Sequence, residues 1–169
     1  MNMKSIVGAE VINLLLIEDD PDDALIFERM ITKPTSTDSF RFQFKNIGRL
    51  ETALEYLTTN RADLIMLDLT LPDSRGLETF IALQSKVPHV PVIVLSGLND
   101  ESMALEAVRK GAQDYLCKQQ VDHRLMMRTI LYALERHKNR LELREANERL
   151  EKLALVDPLT DLLNRRGFQ

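Results

Sequence analysis

The sequence predicts an α/β protein in which helices cover both faces of a doubly wound, five-stranded parallel sheet. Short apolar runs typical of strands buried on both faces recur along the chain, for example VINLLLI at 11–17 and DLIMLDL at 63–69. Segments with the apolar spacing of amphipathic helices lie between these runs. Strands that alternate with helices in this way form parallel sheets with short crossover connections.

The first strand, at 11–17, is followed by a clear helix start. Asp20 is expected to cap this helix, with Pro21 at its first position. The residues expected to face the core are Ala24, Leu25, Phe27 and Ile31. A polar, proline-containing loop is predicted at 33–39, and the period-two pattern FRFQF at 40–44 predicts a more exposed edge strand.

The remaining units follow the same order. Helical spacing links Leu50, Ala53, Leu54 and Leu57. Buried strands are predicted at 63–69 and 90–96, and a fifth strand at 114–117. Helices are predicted at 77–84 and 100–111, and a turn-rich loop at 71–76. The helix at 100–111 has basic residues in its last turn and ends at Gly111, both of which are typical of a helix C-terminus.

After about residue 121 the pattern changes. No glycine or proline occurs from Asp122 to Val156, which predicts one long helix that ends at Asp157-Pro158. Its apolar residues form two heptad seams that are offset from each other. The first contains Leu131, Leu134 and Leu141, with Lys138 in its missing slot, and the second contains Leu143, Ala146, Leu150 and Leu153. Because such a helix is not stable alone, we expect it to pair with a copy of itself as a coiled coil.

Composition limits the class of protein. The 169 residues are 44% hydrophobic and 28% charged, as in ordinary globular proteins, with a net charge of −4 and no long basic block. A nucleic-acid surface is therefore not expected. The one cysteine, Cys117, permits no internal disulfide and fits a reducing compartment. The N-terminal apolar run is too short for a membrane span and lacks a signal-peptide pattern, so we expect a cytoplasmic protein.

Polar side chains stand at the predicted carboxyl ends of the strands. These are Glu18 and Asp19 after the first strand, Asp68 at the third, Ser96 at the fourth and Lys118 at the fifth. Ligands of doubly wound sheets bind at this edge. Three carboxylates there suit a hard divalent cation, Mg²⁺ above all, while a hydroxyl and an ammonium suit a phosphoryl group.

Other acidic residues have a simpler interpretation. Asp20, Asp22 and Asp23 are expected to serve as the cap and first turn of a helix, and Asp73, Asp100 and Asp114 as turn or cap residues. Tyr115 on its own would be a packing residue, and only its place near Lys118 suggests a functional role.

Four motifs, LLIEDDP, DLIMLDLTLPD, VIVLSG and GAQDYLCK, occur in this order at the strand ends. Together they resemble the receiver domains of two-component response regulators, over roughly residues 11–123. The resemblance implies a flavodoxin-like sheet of strand order 2-1-3-4-5. It also implies a tail at 1–10, a receiver domain at 11–121 and a linker helix at 122–156.

The resemblance assigns roles to single residues. Asp68 corresponds to the phosphorylated aspartate. Asp19 would bind Mg²⁺ directly, Glu18 would act nearby or through water, and the backbone carbonyl of Thr70 would complete the protein ligands.

Three further residues correspond to the parts of a switch. Ser96 resembles the hydroxyl that moves toward the phosphoryl group, Tyr115 the aromatic residue that turns inward behind it, and Lys118 the cation that pairs with phosphoryl oxygens. Gln119 departs from the family, which usually has proline after the lysine. Because a cis bond before a non-proline residue costs roughly 2.5–4 kcal/mol, we expect a trans bond and a looser loop here.

The last thirteen residues carry a second resemblance. DPLTDLLNRRGF, at 157–168, is similar to the opening of a GGDEF diguanylate cyclase domain. The glycine-rich catalytic signature of that family does not occur in these 169 residues. We therefore expect residues 157–169 to be the start of a truncated GGDEF domain, the parent protein to be a cyclase, and this chain itself not to be an enzyme.

The implied function is that of a phosphoacceptor. A histidine kinase or phosphotransfer protein would phosphorylate Asp68, and a homodimer formed through a receiver face and the linker helix would relay the signal. One alternative is a receiver-like interaction module that is never phosphorylated. Another is an aspartate-nucleophile phosphohydrolase, which ranks lower because DLT, starting at Asp68, lacks the second aspartate that such enzymes use as acid.

Overall fold

The computed structural model describes residues 10–33, 40–97 and 100–155, with side chains described to residue 152. Its strands are β1 (Glu10–Ile17), β2 (Phe40–Ile47), β3 (Leu64–Asp68), β4 (Thr70–Leu71), β5 (Ser74–Arg75), β6 (Val92–Ser96) and β7 (Asp114–Cys117). Its helices are α1 (Pro21–Thr32), α2 (Leu50–Thr59), α3 (Leu77–Lys86), α4 (Glu101–Arg109) and α5 (His123–Leu155).

The main sheet has five parallel strands in the order β2-β1-β3-β6-β7. When the two-residue strands β4 and β5 are left out of the numbering, this is the expected order 2-1-3-4-5. The prediction of a doubly wound sheet is therefore confirmed. β2 is an edge strand, as predicted, although it is three residues longer than the FRFQF pattern indicated.

The core has one layer on each face of the sheet. One layer packs α2, α3 and α4 against the sheet, through Ala53, Phe80, Leu83, Ala104 and Ala107. The other packs α1 and the start of α5, through Phe27, Ile31, Met126, Ile130 and Ala133. Neighbouring residues of β1 alternate between the two layers, because successive side chains of a strand point to opposite faces.

Helix α1 begins as the sequence predicts. Asp20 is the N-cap, and its Oδ1 accepts hydrogen bonds from the backbone N–H groups of Asp22 at 2.8 Å and Asp23 at 3.3 Å. The expectation that Leu25 faces the core is wrong, since its side chain is 44% exposed. It follows Ala24 directly, which turns it about 100° around the helix, away from the buried stripe.

The fully buried residues of helix α4 have small side chains. Its buried residues are Ala104 and Ala107, whereas α3 buries Phe80 and Leu83. Asp100 stands at the N-cap position of α4 but makes no side-chain capping hydrogen bond.

The segment between β3 and α3 is more ordered than the predicted loop. β4 and β5 form a small antiparallel hairpin, in which Thr70 pairs with Arg75 and Leu71 pairs with Ser74. Local turn signals do not predict strands this short. Leu71 is 1% exposed, and the N–H of Gly76 donates to the carbonyl of Leu69 at 2.6 Å, so both ends of the hairpin are fixed.

The long helix was predicted at 122–156, and α5 covers His123–Leu155. The chain divides into two compact units, 1–134 and 135–169. Within the first, Met126, Ile130 and Ala133 of α5 are buried. Within the second, the described side chains from 138 to 152 are exposed, including Leu143 at 63% and Leu150 at 64%.

The predicted helix end at Asp157-Pro158 and the GGDEF-like stretch lie outside the described residues. Across the described part of the chain, no helix has both the length and the apolar character needed to cross a membrane.

Candidate functional site

Four of the predicted site residues meet at the carboxyl edge of the main sheet. β1 leads into Glu18 and Asp19, β3 ends at Asp68, and β7 leads into Lys118. One carboxylate oxygen from each of the three acids lies within 4.8 Å of the others, so the three could bind one cation. Residues up to 100 positions apart in sequence therefore form one pocket, because parallel strands bring their carboxyl ends to the same edge.

The three carboxylates differ in their contact with water. Glu18 is 1% exposed and Asp68 is 7% exposed, whereas Asp19 is exposed. Oε1 of Glu18 accepts a hydrogen bond from the N–H of Asp20 at 3.0 Å. Oε2 is buried and pairs with the Lys118 ammonium, whose Nζ lies 2.5 Å away.

The electrostatics of Glu18 follow from this position. Burial raises its pKa to about 7; the hydrogen bond from Lys118 opposes the shift and the charge of Asp68 adds to it. Because burial disfavours the charged form, binding of a cation at this carboxylate would favour release of its proton.

Lys118 is the cation of the pocket. Its Nζ lies 2.6 Å from Oδ2 of Asp68 and 3.0 Å from Oδ2 of Asp23. Burial works against its charge, but hydrogen bonds to Asp68 and Glu18 raise its pKa above the ordinary lysine value. An ammonium held in this way is charged at any physiological pH.

The loop that carries Lys118 is ordered without the usual proline. The expected trans bond before Gln119 is confirmed, since the described residues contain no cis peptide. The N–H of Lys118 donates to the carbonyl of Ser96 at 2.9 Å, and the N–H groups of Gln120 and Val121 donate to that of Cys117. Lys118 therefore contacts the carboxylates of Glu18 and Asp68 although Gln119 replaces the usual proline.

The two oxygens of Asp68 have different partners. Oδ1 accepts a hydrogen bond from the backbone N–H of Thr70 at 2.9 Å, and Oδ2 accepts from Lys118. These bonds fix the rotation of the carboxylate. The role of the Thr70 carbonyl as a metal ligand stays a prediction.

Ser96 and Tyr115 have other partners in this structure. Ser96 is 3% exposed, and its hydroxyl donates to the carbonyl of Leu116 at the long distance of 3.5 Å. The Tyr115 hydroxyl donates to Oε1 of Glu101 on α4 at 3.4 Å, and burial followed by the Glu101 charge raises its pKa. Their roles as a switch stay predictions.

Two acids contribute more than the sequence indicated. Asp23 lies in the first turn of α1, as predicted, but its carboxylate also binds Lys118. The sequence did offer a signal for this contact. Asp23 lies three residues after the cap of a helix that starts at the same edge of the sheet as Lys118. Asp73 does cap a helix, but that helix is α2, more than twenty residues earlier in the sequence. No local pattern predicts such a contact.

Comparison with known proteins identifies the family. The family model for the response regulator receiver domain matches residues 14–131, which is more than half of the chain. The chain belongs to the receiver-domain family. It is a receiver domain of the kind found in two-component response regulators, and receivers bind Mg²⁺ at an acidic site of this kind.

Curated relatives include chemotaxis protein CheY of Listeria monocytogenes, which is 30% identical over 97 residues covering 57% of this chain and 81% of that protein. Transcriptional regulatory protein MalR of Bacillus subtilis is 34% identical over 109 residues, 64% of this chain and 44% of that protein. Regulatory protein LuxO of Vibrio cholerae is 33% identical over 103 residues, 61% of this chain and 21% of that protein. The match thus spans less than half of MalR and of LuxO.

Solved structures agree on the fold. A receiver domain protein from Clostridium thermocellum aligns with a TM-score of 0.63 at 22% identity, over 75% of this chain and 97% of that one. The N-terminal signal receiver domain of a Bacteroides fragilis response regulator aligns with a TM-score of 0.61 at 19% identity, over 73% and 97%.

The pocket of this receiver fits Mg²⁺ on its own chemistry. Hard divalent cations take oxygen ligands, and carboxylates supply them here at a suitable spacing. Glu18 is buried beside Asp68, and its raised pKa reflects both its burial and the Asp68 charge, which a cation bound between the two carboxylates would offset.

Proposed function

We propose that this receiver is a phosphoacceptor, in which Asp68 takes a phosphoryl group from a histidine kinase or phosphotransfer protein in a Mg²⁺-dependent reaction. The observation that carries this proposal is the position of the Asp68 carboxylate, which contacts the Lys118 ammonium and has an oxygen within 4.8 Å of oxygens of Glu18 and Asp19. A nucleophilic oxygen, a cation for the phosphoryl oxygens and a set of metal ligands thus share one pocket.

The chemistry needs alignment and charge neutralisation more than a strong base. An oxygen of Asp68 attacks phosphorus, the P–N bond of the phosphohistidine breaks, and the histidine nitrogen leaves with the electron pair and takes up a proton. The N–H of Thr70 orients the carboxylate, and Lys118 offsets the charge of the phosphoryl oxygens. Glu18, Asp19 and Asp68 would hold Mg²⁺, which supplies further positive charge at the phosphoryl group when bound.

The response would pass through Ser96 and Tyr115. Phosphorylation adds a charge of roughly −1.5 to −2 and three acceptor oxygens beside the end of β6. The Ser96 hydroxyl has only a long bond to Leu116, so it loses little by turning to a phosphoryl oxygen. Tyr115 would then exchange its exposed bond to Glu101 for a position behind Ser96.

The output would be dimeric. Leu141, Leu143 and Leu150 are 41%, 63% and 64% exposed, and a second copy of this helix would bury them in a coiled coil. The receiver face would contribute to the same homodimer. The GGDEF-like stretch supports a diguanylate cyclase as the output domain of the parent protein. In this proposal the chain itself acts as an acceptor and not as an enzyme.

Intact-mass measurement tests the phosphoacceptor proposal. The chain is incubated with acetyl phosphate, with and without Mg²⁺, alongside Asp68→Ala and the matched control Asp22→Ala, an exposed acid in the first turn of α1. We expect the wild type and Asp22→Ala to gain one phosphoryl group only with Mg²⁺, and Asp68→Ala to gain none.

The other outcomes contradict the proposal. A chain that gains no mass under any condition is an interaction module. Continuous release of phosphate from a generic phosphate ester, over many turnovers, identifies a phosphohydrolase.

A further inference from the structure

We propose that Asp73 is a positioning residue for the acidic pocket. It ties the β4–β5 hairpin to the N-terminus of α2, and so holds the two sides of the pocket, Glu18–Asp19 and Asp68, in a fixed relation. The effect on Mg²⁺ binding follows from the geometry alone, while the effect on phosphoryl transfer rests on the proposed function.

The Asp73 carboxylate contacts the N-terminus of α2. Oδ1 of Asp73 accepts a hydrogen bond from the N–H of Leu50 at 3.0 Å, and Oδ2 accepts one from the N–H of Glu51 at 2.9 Å. The first N–H groups of a helix need partners from outside the helix. Arg49, at the N-cap position, supplies no side-chain bond, so Asp73 takes over this role from a distant loop.

On one side, Asp73 fixes the hairpin that orients Asp68. Asp73 lies in the turn of this hairpin, between the paired residues Leu71 and Ser74. The same hairpin begins at Thr70, whose N–H binds Oδ1 of Asp68. A shift of the turn would therefore move the donor that sets the rotation of the Asp68 carboxylate.

On the other side, the segment before α2 supports the acidic pair. The N–H of Glu18 donates to the carbonyl of Ile47 at 3.1 Å, and Nδ2 of Asn46 donates to the carbonyl of Glu18 at 3.2 Å. A Cβ added to Gly48 would lie 3.4 Å from Cα of Asp19, so the backbones pack closely here. Through α2, Asp73 is thus connected to the backbone of both acids.

Helix capping alone predicts a different result from positioning. Asp73 is exposed, so its removal leaves no cavity, and a lost cap would lower only the stability of α2. The two roles can be separated because Arg49 has the extended backbone of an N-cap, with φ −142° and ψ 142°. A serine at this position can cap α2 locally, without any link to the hairpin.

The experiment compares Asp73→Ala, Arg49→Ser and the double variant Arg49→Ser/Asp73→Ala. Asp63→Ala is the matched control, since Asp63 is also exposed and accepts two hydrogen bonds, from N and Nδ2 of Asn13, but lies at the start of β3. For each protein, calorimetry measures Mg²⁺ affinity, thermal unfolding measures stability, and hydrogen exchange measures the protection of the Thr70 amide.

Asp73→Ala is expected to weaken Mg²⁺ binding by about tenfold, because loss of a residue that orients metal ligands commonly has an effect of this size. It should also speed hydrogen exchange of the Thr70 amide. The double variant should regain the unfolding temperature of Arg49→Ser but not the Mg²⁺ affinity. Asp63→Ala should unfold at a lower temperature and bind Mg²⁺ normally.

The proposal is overturned if Asp73→Ala binds Mg²⁺ like the wild type, or if the double variant regains affinity together with stability. Its failure differs from failure of the proposed function. A wild type that binds Mg²⁺ but gains no phosphoryl group refutes the phosphoacceptor role and leaves the Asp73 comparison intact. If the wild type binds no Mg²⁺, hydrogen exchange of the Thr70 amide is the remaining test. An exchange rate in Asp73→Ala equal to that of the wild type then refutes the positioning role of Asp73.

Discussion

Nζ of Lys118 lies 2.6 Å from Oδ2 of Asp68, although the two residues are 50 positions apart. The ammonium also contacts Glu18 and Asp23, so one cation serves three carboxylates. Before any metal or phosphoryl group arrives, the pocket thus carries an excess of negative charge that Lys118 only partly offsets.

Lys118→Met should slow phosphorylation of Asp68 and destabilise the metal-free chain. Removing one partner of a buried ion pair typically costs about 3–5 kcal/mol, and here the buried carboxylates of Glu18 and Asp68 both lose their cation. Urea unfolding gives the stability, and intact mass against time gives the rate. Lys110→Met, at the exposed end of α4, should match the wild type in both measurements. Unchanged unfolding of Lys118→Met would contradict the ion-pair argument.

Mg²⁺ should raise the unfolding temperature of the wild type. A ligand that binds only the folded state adds about 2.7 kcal/mol at one hundred times its dissociation constant. Asp19→Ala removes one carboxylate of the cluster and should lose most of this increase, whereas Asp22→Ala should keep it. Thermal scans with and without Mg²⁺ at constant ionic strength make the comparison. An equal increase in the two variants would argue against a site at Asp19.

Asp73 should make the stability depend on acid pH. Slight burial acts to raise its pKa, but the N–H groups of Glu51 and Leu50 lower it below the ordinary value of 3.8. Because the folded pKa is the lower one, the unfolded chain takes up the proton first, and stability falls with falling pH. The stability that Asp73 provides relative to Asp73→Asn should be complete above pH 3.8 and disappear as the pH falls through the folded pKa. Urea unfolding across this range measures the difference, and a pH-independent difference would refute the assignment.

Ser96→Ala should separate metal binding from the response to phosphorylation. The Ser96 hydroxyl contacts a backbone carbonyl and not the carboxylates, so Mg²⁺ affinity should stay within about twofold of the wild type. Binding of beryllofluoride, a phosphoryl mimic, should weaken, because one donor to the mimic is lost. Calorimetry measures the affinity for both ligands. Ser85→Ala is the control, since Ser85 is an exposed serine of α3 whose hydroxyl also donates to a backbone carbonyl, that of Ala82. Equal beryllofluoride binding in wild type and Ser96→Ala would contradict the switch role.

The long helix should form disulfides between copies at seam positions. In a Cys117→Ser background, Leu150→Cys lies in the second seam and Glu151→Cys beside it, and both side chains are exposed. We expect rapid oxidation to a covalent dimer for Leu150→Cys and slow oxidation for Glu151→Cys.

In the proposed homodimer, the offset between the two seams would let the paired helices change register on phosphorylation. Beryllofluoride should therefore change the relative oxidation rates of Leu134→Cys and Leu150→Cys. Rates that are equal with and without the mimic would exclude a register change.

The strand ends were predictable because each depends on short-range pattern. Apolar runs placed Asp68 and Ser96 at the ends of β3 and β6, and cap chemistry placed Asp20 before α1. Once the strands are parallel, their carboxyl ends meet, so the acidic pocket follows from the fold class without any knowledge of side-chain contacts.

The contacts that were missed depend on distance in space and not on local pattern. Asp73 binds the N-terminus of α2, and Asp23 binds Lys118, in each case across two separate elements. The β4–β5 hairpin was missed for another reason: each strand has only two residues, too few to show alternation. Leu25 was wrongly expected to face the core, because helical spacing identifies the buried stripe of a helix more reliably than the residues at the edges of that stripe.

The small side chains that hold α4 also limit how firmly it is attached. Ala104 and Ala107 bury little more than a methyl group each, about 0.8 kcal/mol per carbon, against about 1.5–3 kcal/mol for a residue such as Leu83 of α3. The larger apolar residues of α4, Met103 and Val108, are only partly buried against this core. Tyr115 and Glu101 connect this helix to β7, so a change in the position of the Tyr115 side chain would break a contact at the outer surface of the protein.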